Sequence, residues 1–296
     1  MPIAVIDIGT NTLLLLIVDD AMRPLVDLCR FGRLAADSIA ASLEICREYR
    51  RVIDEHGGAR TIAIATQAAR EASNAADFVG PAEQILGAEI QVIPGNREAE
   101  LAALAVARTF PELAAAHYLV VDVGGGSTEI ITVDRGRVAA QTSLPIGAVR
   151  LTERHLRHDP PTAPEIAALS ADIDRHLATL ALPHAIPVIG TAGTATTLAA
   201  VKLGLEIYDP LAVTGLRLSR DGVVVLLGLL LAATVAQRKT FPGIAPQRAD
   251  VIAAGAAIYA RILQQVDAPV LITCDRGIRW GIAYEAMSTA LPSEAS

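Results

Sequence analysis

The fold is decided by residues 120–131, which read VVDVGGGSTEII. Two apolar, β-branched runs flank the glycines and predict two buried strands joined by a tight turn. Three successive glycines allow positive φ angles and a close approach of the backbone to a ligand. Successive N–H groups in such a turn form a concave anion site. The stretch therefore predicts a phosphate-binding hairpin, to which Ser127 and Thr128 add hydroxyl donors.

Two acids, Asp122 and Glu129, stand at the ends of this turn. A phosphate cradle requires no acid, so the carboxylates indicate a metal ion or an activated water beside the phosphate. The alternative is a glycine-rich hairpin with two solvated acids. Carboxylates at the ends of buried strands favour the functional interpretation.

The same layout occurs at the start of the chain. Residues 1–8 predict a strand, residues 7–12 (DIGTNT) a turn and residues 13–18 a second strand. Two copies of one device predict two related domains that face one cleft. Beyond each copy, strands alternate with helices, which indicates an α/β fold with partly parallel sheets. One of these helices is predicted to begin at a capping Asn96, with Glu98 in its first turn.

A third candidate phosphate site lies at residues 190–194 (GTAGT). This small-residue turn follows a predicted strand and precedes a helix expected from Ala195. N–H groups and the helix dipole point to such a junction, so Gly193 and Thr194 are candidate phosphate contacts.

Composition limits the class of protein. The 296 residues suit one large or two ordinary domains, and a hydrophobic content of 52% is ample for a core. A net charge of −7 argues against general affinity for nucleic acid or anionic membranes, so a polyanion must meet a local basic cluster. The three cysteines show no CxxC spacing and indicate a reducing cytosol. The longest apolar run, residues 223–236, is too short for a membrane span and predicts a buried helix.

Several motifs, taken in order, resemble the exopolyphosphatase and guanosine pentaphosphate phosphatase family. The resemblance is to its short, two-domain form, and the matching segments are residues 7–12, 65–74 (ATQAAREASN), 95–99 (GNREA), 122–129, 190–198, 248–250 (RAD) and 279–281 (RWG). The resemblance implies two actin-like (ribonuclease H-like) domains with mixed sheets flanked by helices and a cleft between them. The implied domains are residues 1–116 and 117–278, and a helix at about 279–290 packs back on the first.

The resemblance also implies an activity. It is the metal-dependent hydrolysis of terminal phosphoanhydride bonds, which releases orthophosphate from inorganic polyphosphate or guanosine pentaphosphate. Mg²⁺ or another divalent cation is the implied cofactor, the cytoplasm the implied compartment and a homodimer the implied assembly. Neither nucleic acid nor membrane is expected as a partner.

Roles carried over by position make Glu98 the base that activates water, Arg70 a phosphate grip, and Glu129 a third catalytic residue. Asp122, Glu129 and Asp7 are the implied metal ligands. The implied phosphate-binding residues are Gly9, Thr10, Asn11, Thr12, Gly124, Gly125, Gly126, Ser127, Thr128, Gly193 and Thr194.

Alternatives remain for single residues and for the whole chain. Glu98 could only oppose the positive end of its helix, and Arg70 could pair with Glu71. Residues 28–34 are compressed where the family has a longer loop, which leaves the choice of substrate open. The chain could instead be a kinase or ATPase of the actin-like fold, or a non-catalytic sensor of guanosine pentaphosphate or polyphosphate.

Overall fold

The computed structural model describes residues 1–9, 12–32, 38–66 and 75–290. Within these ranges the strands are β1 (Ile3–Ile8), β2 (Thr12–Val18), β3 (Pro24–Phe31), β4 (Arg60–Ala65), β5 (Ile90–Val92), β6 (His117–Val123), β7 (Thr128–Asp134), β8 (Arg137–Leu144), β9 (Val188–Thr191), β10 (Arg217–Ser219) and β11 (Val270–Thr273). The α-helices are α1 (Ile39–Glu55), α2 (Ala75–Leu86), α3 (Gly95–Thr109), α4 (Ala148–His155), α5 (Ala163–Leu177), α6 (Ala192–Leu203), α7 (Pro210–Val213), α8 (Arg220–Ala232), α9 (Val235–Arg238), α10 (Ile252–Gln265) and α11 (Ile278–Ala290).

These elements form two compact units. The first combines residues 1–105 with α11, and the second is the continuous segment Val106–Gly277. Each unit has its own sheet and its own core. No helix among the described residues is both long and apolar enough to cross a membrane.

The sheet of the first unit has the order β3-β2-β1-β4-β5. The first three strands are antiparallel neighbours, whereas β4 and β5 run parallel to β1. Side chains alternate between the faces of a strand, so Ile6 packs in the core with α1 and α2 while Val5 packs in the core with α3 and α11. Helices therefore cover both faces.

The sheet of the second unit has the order β10-β11-β9-β6-β7-β8. Strands β6, β7, β8, β9 and β11 repeat the directions and neighbours of β1, β2, β3, β4 and β5, and β10 is an added antiparallel edge. The prediction of an α/β fold with two mixed, helix-flanked sheets is confirmed. The turn that occurs twice in the sequence therefore lies at the same place in two sheets of the same topology.

The expected loop at residues 28–34 is wrong in its first part. Residues 28–31 belong to β3, where Leu28 pairs with Leu15 and Phe31 with Thr12. This strand lies at the sheet edge and mixes polar with apolar side chains, most of them partly exposed. An edge strand of this kind carries a weak hydrophobic pattern. Residues 33–37 lie outside the described residues.

The expected burial of residues 223–236 is also wrong. Helix α8 covers most of this run, yet Val224, Val225 and Leu229 are 52%, 69% and 46% exposed. Only Val223, Leu226 and Leu230 of the helix are buried. A uniformly apolar run carries no periodicity that separates a core-facing side from an outer side.

Candidate functional site

A row of four polar residues crosses the sheet of the second unit. Asp122 on β6 lies opposite Glu129 on β7, and these two are flanked by Thr191 on β9 and Ser143 on β8. Residues directly opposite each other share a face of the sheet and lie close together. Strand register therefore places two carboxylates side by side with a hydroxyl at each end.

Each outer hydroxyl donates to the carboxylate beside it. Thr191 Oγ1 lies 3.0 Å from Asp122 Oδ2, and Ser143 Oγ lies 2.8 Å from Glu129 Oε1. Glu129 is only 4% exposed, and a buried charge is costly unless hydrogen bonds satisfy it. Hydroxyl donors supply such bonds at both ends of the pair. Sequence reasoning missed Thr191 and Ser143, because only the strand register reveals them.

A buried tyrosine joins β6 and β9, the strands that carry Asp122 and Thr191. The hydroxyl of Tyr259, on α10, lies 2.9 Å from the carbonyl of Val121 and 3.1 Å from that of Thr191. Burial raises the pKa of Tyr259 well above its usual range, so the hydroxyl stays protonated and can donate. This residue too went unnoticed in the sequence.

The glycine turn is tied to the start of α4. The N–H groups of Ala148 and Val149 donate to the carbonyls of the first two of residues 124–126, and Arg150 Nε donates to the third, all at 2.9 Å. In a trans peptide the N–H points opposite to the preceding carbonyl. The N–H groups of residues 125–127 are therefore directed away from α4, which is the arrangement that an anion cradle needs.

The contact between this turn and α4 depends on Gly147. A β-carbon at this position would lie 2.4 Å from the carbonyl oxygen and 2.5 Å from the carbonyl carbon of Gly125. Both are backbone atoms, so no side-chain movement could relieve the clash. The sequence showed Gly147 only as part of a turn.

Two of the predicted phosphate-binding hydroxyls are engaged with the backbone. Thr128 Oγ1 donates to the carbonyl of Ile146 at 2.7 Å, and Thr194 Oγ1 donates to that of Val123 at 3.3 Å. Both threonines are buried, as is Ser127. The two threonine hydroxyls thus hold the turn in place. Contact of any of these three residues with phosphate stays a prediction.

The expected turn at residues 190–194 is replaced by a sharper junction. Strand β9 runs to Thr191, and α6 begins at Ala192 rather than at Ala195. Ala192 has a φ of +59°, which turns the chain directly from strand to helix. Gly193 and Thr194 therefore lie in the first helical turn.

An arginine lies against this junction. A β-carbon at Gly193 would be 1.9 Å from Nη1 of Arg248, so the guanidinium occupies the space that the glycine leaves. The sequence singled out Arg248 only as one letter of a closing motif. The structure adds it as a candidate cation beside the first turn of α6.

The first unit contains a matching turn. Gly9 N–H donates to the carbonyl of Thr12 at 2.9 Å, as Gly124 N–H donates to that of Ser127 at 3.0 Å. Asp7 is the penultimate residue of β1 and is 7% exposed. By strand alternation its side chain is on the face covered by α3 and α11. The predicted contacts Thr10 and Asn11 lie outside the described residues.

Glu98 is in the first turn of α3 and is 6% exposed. The helix begins at Gly95, so the predicted cap at Asn96 is two residues too late and Asn96 is already helical. Its neighbours carry the surface charge, since Arg97 pairs with Glu100 at 3.0 Å and also with Glu285. Glu98 is thus buried, while Arg97 and Glu100 form a partly exposed ion pair beside it.

The predicted site residues are distributed over both units. Asp7 and Glu98 belong to the first, while Asp122, Glu129 and Gly193 belong to the second. Arg70 lies outside the described residues. No group of three or more His, Cys, Asp and Glu side chains that could hold a metal occurs in the part of the chain described. Asp122 and Glu129 stand as a pair.

Comparison with known proteins places this site in a family. A curated relative, exopolyphosphatase 2 of Mycobacterium tuberculosis, is 33% identical over 290 residues, which cover 89% of this chain and 90% of the relative. The guanosine-5'-triphosphate,3'-diphosphate pyrophosphatase of Vibrio cholerae is 27% identical, over 95% of this chain and 58% of the relative. The crystal structure of an exopolyphosphatase-like protein superposes with a TM-score of 0.92 at 33% identity, over 98% of this chain and 100% of that one.

The family model that matches spans residues 28–290, and so includes α3, the glycine turn and the polar row. The six motifs from residues 65–74 onward thus lie within one continuous match, and the first motif, residues 7–12, precedes it. The chain belongs to the Ppx/GppA phosphatase family.

Proposed function

We propose that this protein hydrolyses terminal phosphoanhydride bonds and releases orthophosphate from inorganic polyphosphate or guanosine pentaphosphate. The observation that carries the proposal is the carboxylate pair Asp122–Glu129, which directly flanks a glycine turn with its N–H groups directed away from α4. The names of the relatives support both substrates, since one is an exopolyphosphatase and another a guanosine pentaphosphate pyrophosphatase.

Phosphate binding is assigned to backbone and arginine donors. The N–H groups of residues 125–127 would hold the terminal phosphate, and residues 9–12 are proposed as further phosphate contacts. Arg70 and Arg248 would add bidentate guanidinium contacts, which suit phosphate oxygens. Such local donors would bind a polyanion although the chain has a net charge of −7.

The carboxylate pair fits a divalent cation. Asp122 and Glu129 offer only oxygen donors, and Mg²⁺ is usually bound through one or two carboxylates together with substrate phosphates. Asp7 is proposed as a further carboxylate toward the ion. When bound, Mg²⁺ would offset the charge between the anionic substrate and these acids.

Glu98 is assigned the role of general base. It would accept a proton from the attacking water, whose oxygen forms a bond to the terminal phosphorus. The bond from that phosphorus to the bridging oxygen breaks, and orthophosphate leaves. Phosphoryl transfer depends mainly on positioning and charge neutralisation, which the remaining residues supply.

The two-domain organisation predicted from the sequence, residues 1–116 and 117–278, is proposed as the frame of this reaction. It differs from the compact units by residues 106–116, the end of α3 and the 3₁₀ turn Pro111–Leu113. Glu98 belongs to the first of these domains, and Asp122 and Glu129 belong to the second.

Phosphate release from medium-chain polyphosphate and from guanosine pentaphosphate, each with Mg²⁺, tests the proposal. We expect release from at least one substrate, and loss of that release in Glu98→Gln but not in the matched variant Glu100→Gln. Tight binding of either substrate by folded protein without release would contradict the proposal and favour a sensor. Transfer of phosphate to an acceptor other than water would favour a kinase.

A further inference from the structure

The connector between α9 and α10, residues 239–251, carries Arg248 along α6. Gly243 packs on the second half of that helix, where a β-carbon would lie 2.4 Å from the carbonyl carbon of Ala200. Further along the connector, Arg248 ends a 3₁₀ turn, and its guanidinium lies against Gly193 in the first turn of α6. The connector thus follows α6 back from its second half to its start.

The contact of Arg248 with the start of α6 is unfavourable in electrostatic terms. The first N–H groups of a helix lack partners within the helix, and they give this end a partial positive charge. A cation is stabilised at the opposite end of a helix. Two sources of positive charge therefore meet at Gly193, which suits an anion but requires an anchor that keeps Arg248 there when no anion is bound.

Arg238, the last residue of α9, supplies such an anchor. Its side chain is 3% exposed, and its Nη1 donates to the carbonyl of Ala249, the residue directly after Arg248, at 2.7 Å. The same nitrogen lies 3.4 Å from the carbonyl oxygen of Asp250, and Nε donates to the carbonyl of Ala233 at 3.2 Å. One planar guanidinium therefore ties the end of α8 to the two residues that follow Arg248.

The burial of this guanidinium is unfavourable unless hydrogen bonds and an opposite charge compensate it. Burial lowers the pKa of Arg238, and Asp159 opposes this effect, with its Oδ1 at 3.5 Å from Nη2. Asp159 also accepts from the N–H of Val235, the first residue of α9, at 2.8 Å. An apolar side chain could fill the same space but could not bind the carbonyl of Ala249. That contact distinguishes Arg238 from a residue that only packs.

We propose that Arg238 is a positioning residue for phosphate binding, which holds the connector so that Arg248 stays at the start of α6 and contacts a substrate phosphate there. The inference rests on the proposed function, in which Arg248 is a phosphate contact. Arg238 itself is buried and does not touch the substrate. Its effect on phosphate binding therefore passes through Arg248, and this dependence separates a positioning role from a general contribution to stability.

Titration calorimetry with tripolyphosphate and Mg²⁺ tests this role through a double-mutant cycle in the full chain. Glu98→Gln serves as the background, because it would prevent turnover during the titration. Arg248→Met and Arg238→Met should each weaken binding by roughly 10- to 100-fold, the usual effect of losing a charge-assisted contact. The double variant should bind only as weakly as Arg248→Met, because Arg238 acts through Arg248. Additive losses, or unchanged affinity in either single variant, would overturn the proposal.

Circular dichroism would show that each variant is folded. If Arg238→Met is not, Arg238→Lys takes its place in the cycle with the same expected result, since it keeps the buried charge but has one nitrogen in place of the planar fork. Arg50→Met is the matched control, because Arg50 donates to the carbonyl of Leu86 at 3.0 Å in the first unit and its loss should leave binding unchanged.

Release of orthophosphate from polyphosphate by the wild type tests the proposed function separately. Absence of release together with the expected cycle would reject the hydrolase and keep the role of Arg238. Release together with an additive cycle would keep the hydrolase and reject that role.

Discussion

Buried acids are the residues on which the proposed chemistry depends, and burial changes how they should be tested. Glu98 is 6% exposed, so Glu98→Ala would leave a cavity as well as remove the base. We therefore expect Glu98→Ala to lower the free energy of unfolding, which would confuse a loss of folding with a loss of catalysis. Glu98→Gln keeps the volume and removes only the charge.

We predict that Glu98→Gln lowers the turnover number by roughly 10²- to 10⁴-fold, the usual contribution of a general base. The affinity for substrate should change little, because Glu98 is not assigned to phosphate binding. Steady-state kinetics of phosphate release would measure both quantities. Glu100→Gln, in the same helix but 47% exposed at its side chain, should retain activity. Equal losses in the two variants would point to helix α3 rather than to the carboxylate.

We predict that Ser143→Ala weakens the apparent affinity for Mg²⁺ by roughly 10- to 100-fold, as is usual when a partner of a metal-binding carboxylate is lost. The reason is the 2.8 Å hydrogen bond from Ser143 Oγ to Glu129, which orients that carboxylate. Calorimetric titration with Mg²⁺ in the absence of substrate would measure the effect. Ser143→Thr keeps a hydroxyl and should restore affinity, and a failure to do so would argue against a positioning role.

The positions of the site residues along the chain explain which of them could be predicted from the sequence. Asp122, Glu129 and the glycines lie within one local stretch, so motif and turn chemistry were enough to find them. Thr191 and Ser143 are 69 and 14 residues from the acids that they contact. Their role follows from strand register, which depends on the whole sheet rather than on neighbouring letters.

At the scale of single elements, the start of α4 sets the position of the glycine turn. Because the β-carbon of an alanine at Gly147 would meet Gly125 backbone atoms at 2.4 to 2.5 Å, the turn would have to move. We predict that Gly147→Ala destabilises the protein by about 1–3 kcal/mol, the usual cost of overpacking, and also raises KM. Chemical denaturation and phosphate-release kinetics would measure the two effects.

A matched glycine gives the opposite expectation. Gly228 lies inside α8, and a β-carbon there would have no neighbour within 4 Å. Gly228→Ala should therefore stabilise the protein by about 0.5–1 kcal/mol through helix propensity, with KM unchanged. Similar results at both positions would contradict the close contact between α4 and the glycine turn.

The joint between α4 and α5 depends on Asp172, which is 2% exposed. Its Oδ2 accepts hydrogen bonds from Arg154 and His155, each at 2.7 Å. Burial raises the pKa of Asp172, but the hydrogen bonds from His155 and Arg154 outweigh it and hold the pKa below the ordinary value of 3.8. A lowered pKa stabilises the fold above pH 3.8, and this stabilisation is lost as the pH falls toward the lower, folded-state value.

We predict that Asp172→Asn lowers the free energy of unfolding by about 1–3 kcal/mol at neutral pH, because it leaves charged partners unsatisfied. The difference from the wild type should shrink as the pH falls below about 4, where the wild-type carboxyl itself becomes protonated. Urea denaturation at several pH values would measure it. Asp174→Asn is the control. Asp174 lies two residues further along α5 and forms a partly exposed ion pair with Arg261. A difference that stays constant with pH would exclude a role for the carboxylate charge.

On the scale of the whole molecule, the first unit is built from two distant parts of the chain. Helix α11 adds the buried Trp280 to the core formed with Val5 and Leu101, and its Arg279 bonds to the carbonyl of Leu15 at 3.0 Å. Gly281 packs so closely on Leu101 that a β-carbon would lie 2.2 Å from its carbonyl oxygen. The sequence predicted this return through family resemblance only, because no local pattern shows which sheet a helix will cover.

We predict that Trp280→Ala destabilises the first unit by about 3–5 kcal/mol, the usual cost of removing a buried large aromatic side chain. Hydrogen exchange resolved by segment would measure it, with faster exchange expected in β1 and β4 and little change in β6 and β9. Tyr208→Ala, an exposed aromatic residue of the second unit, is the control. Equal acceleration in both sheets would show that the two units unfold as one.

The discontinuity of the first unit has a consequence for biosynthesis. Residues 106–277 leave the ribosome before α11. The face of β1 and β2 that carries Val5, Leu16 and Val18 therefore lacks its α11 cover while a complete second unit is made. The second unit is continuous and can fold during that interval. The nascent chain thus passes through a stage in which the glycine turn and carboxylate pair already exist while half of the apolar shell around the other sheet is missing. Chaperones that bind exposed apolar segments would therefore encounter the N-terminal strands of this protein, and would do so late in its synthesis.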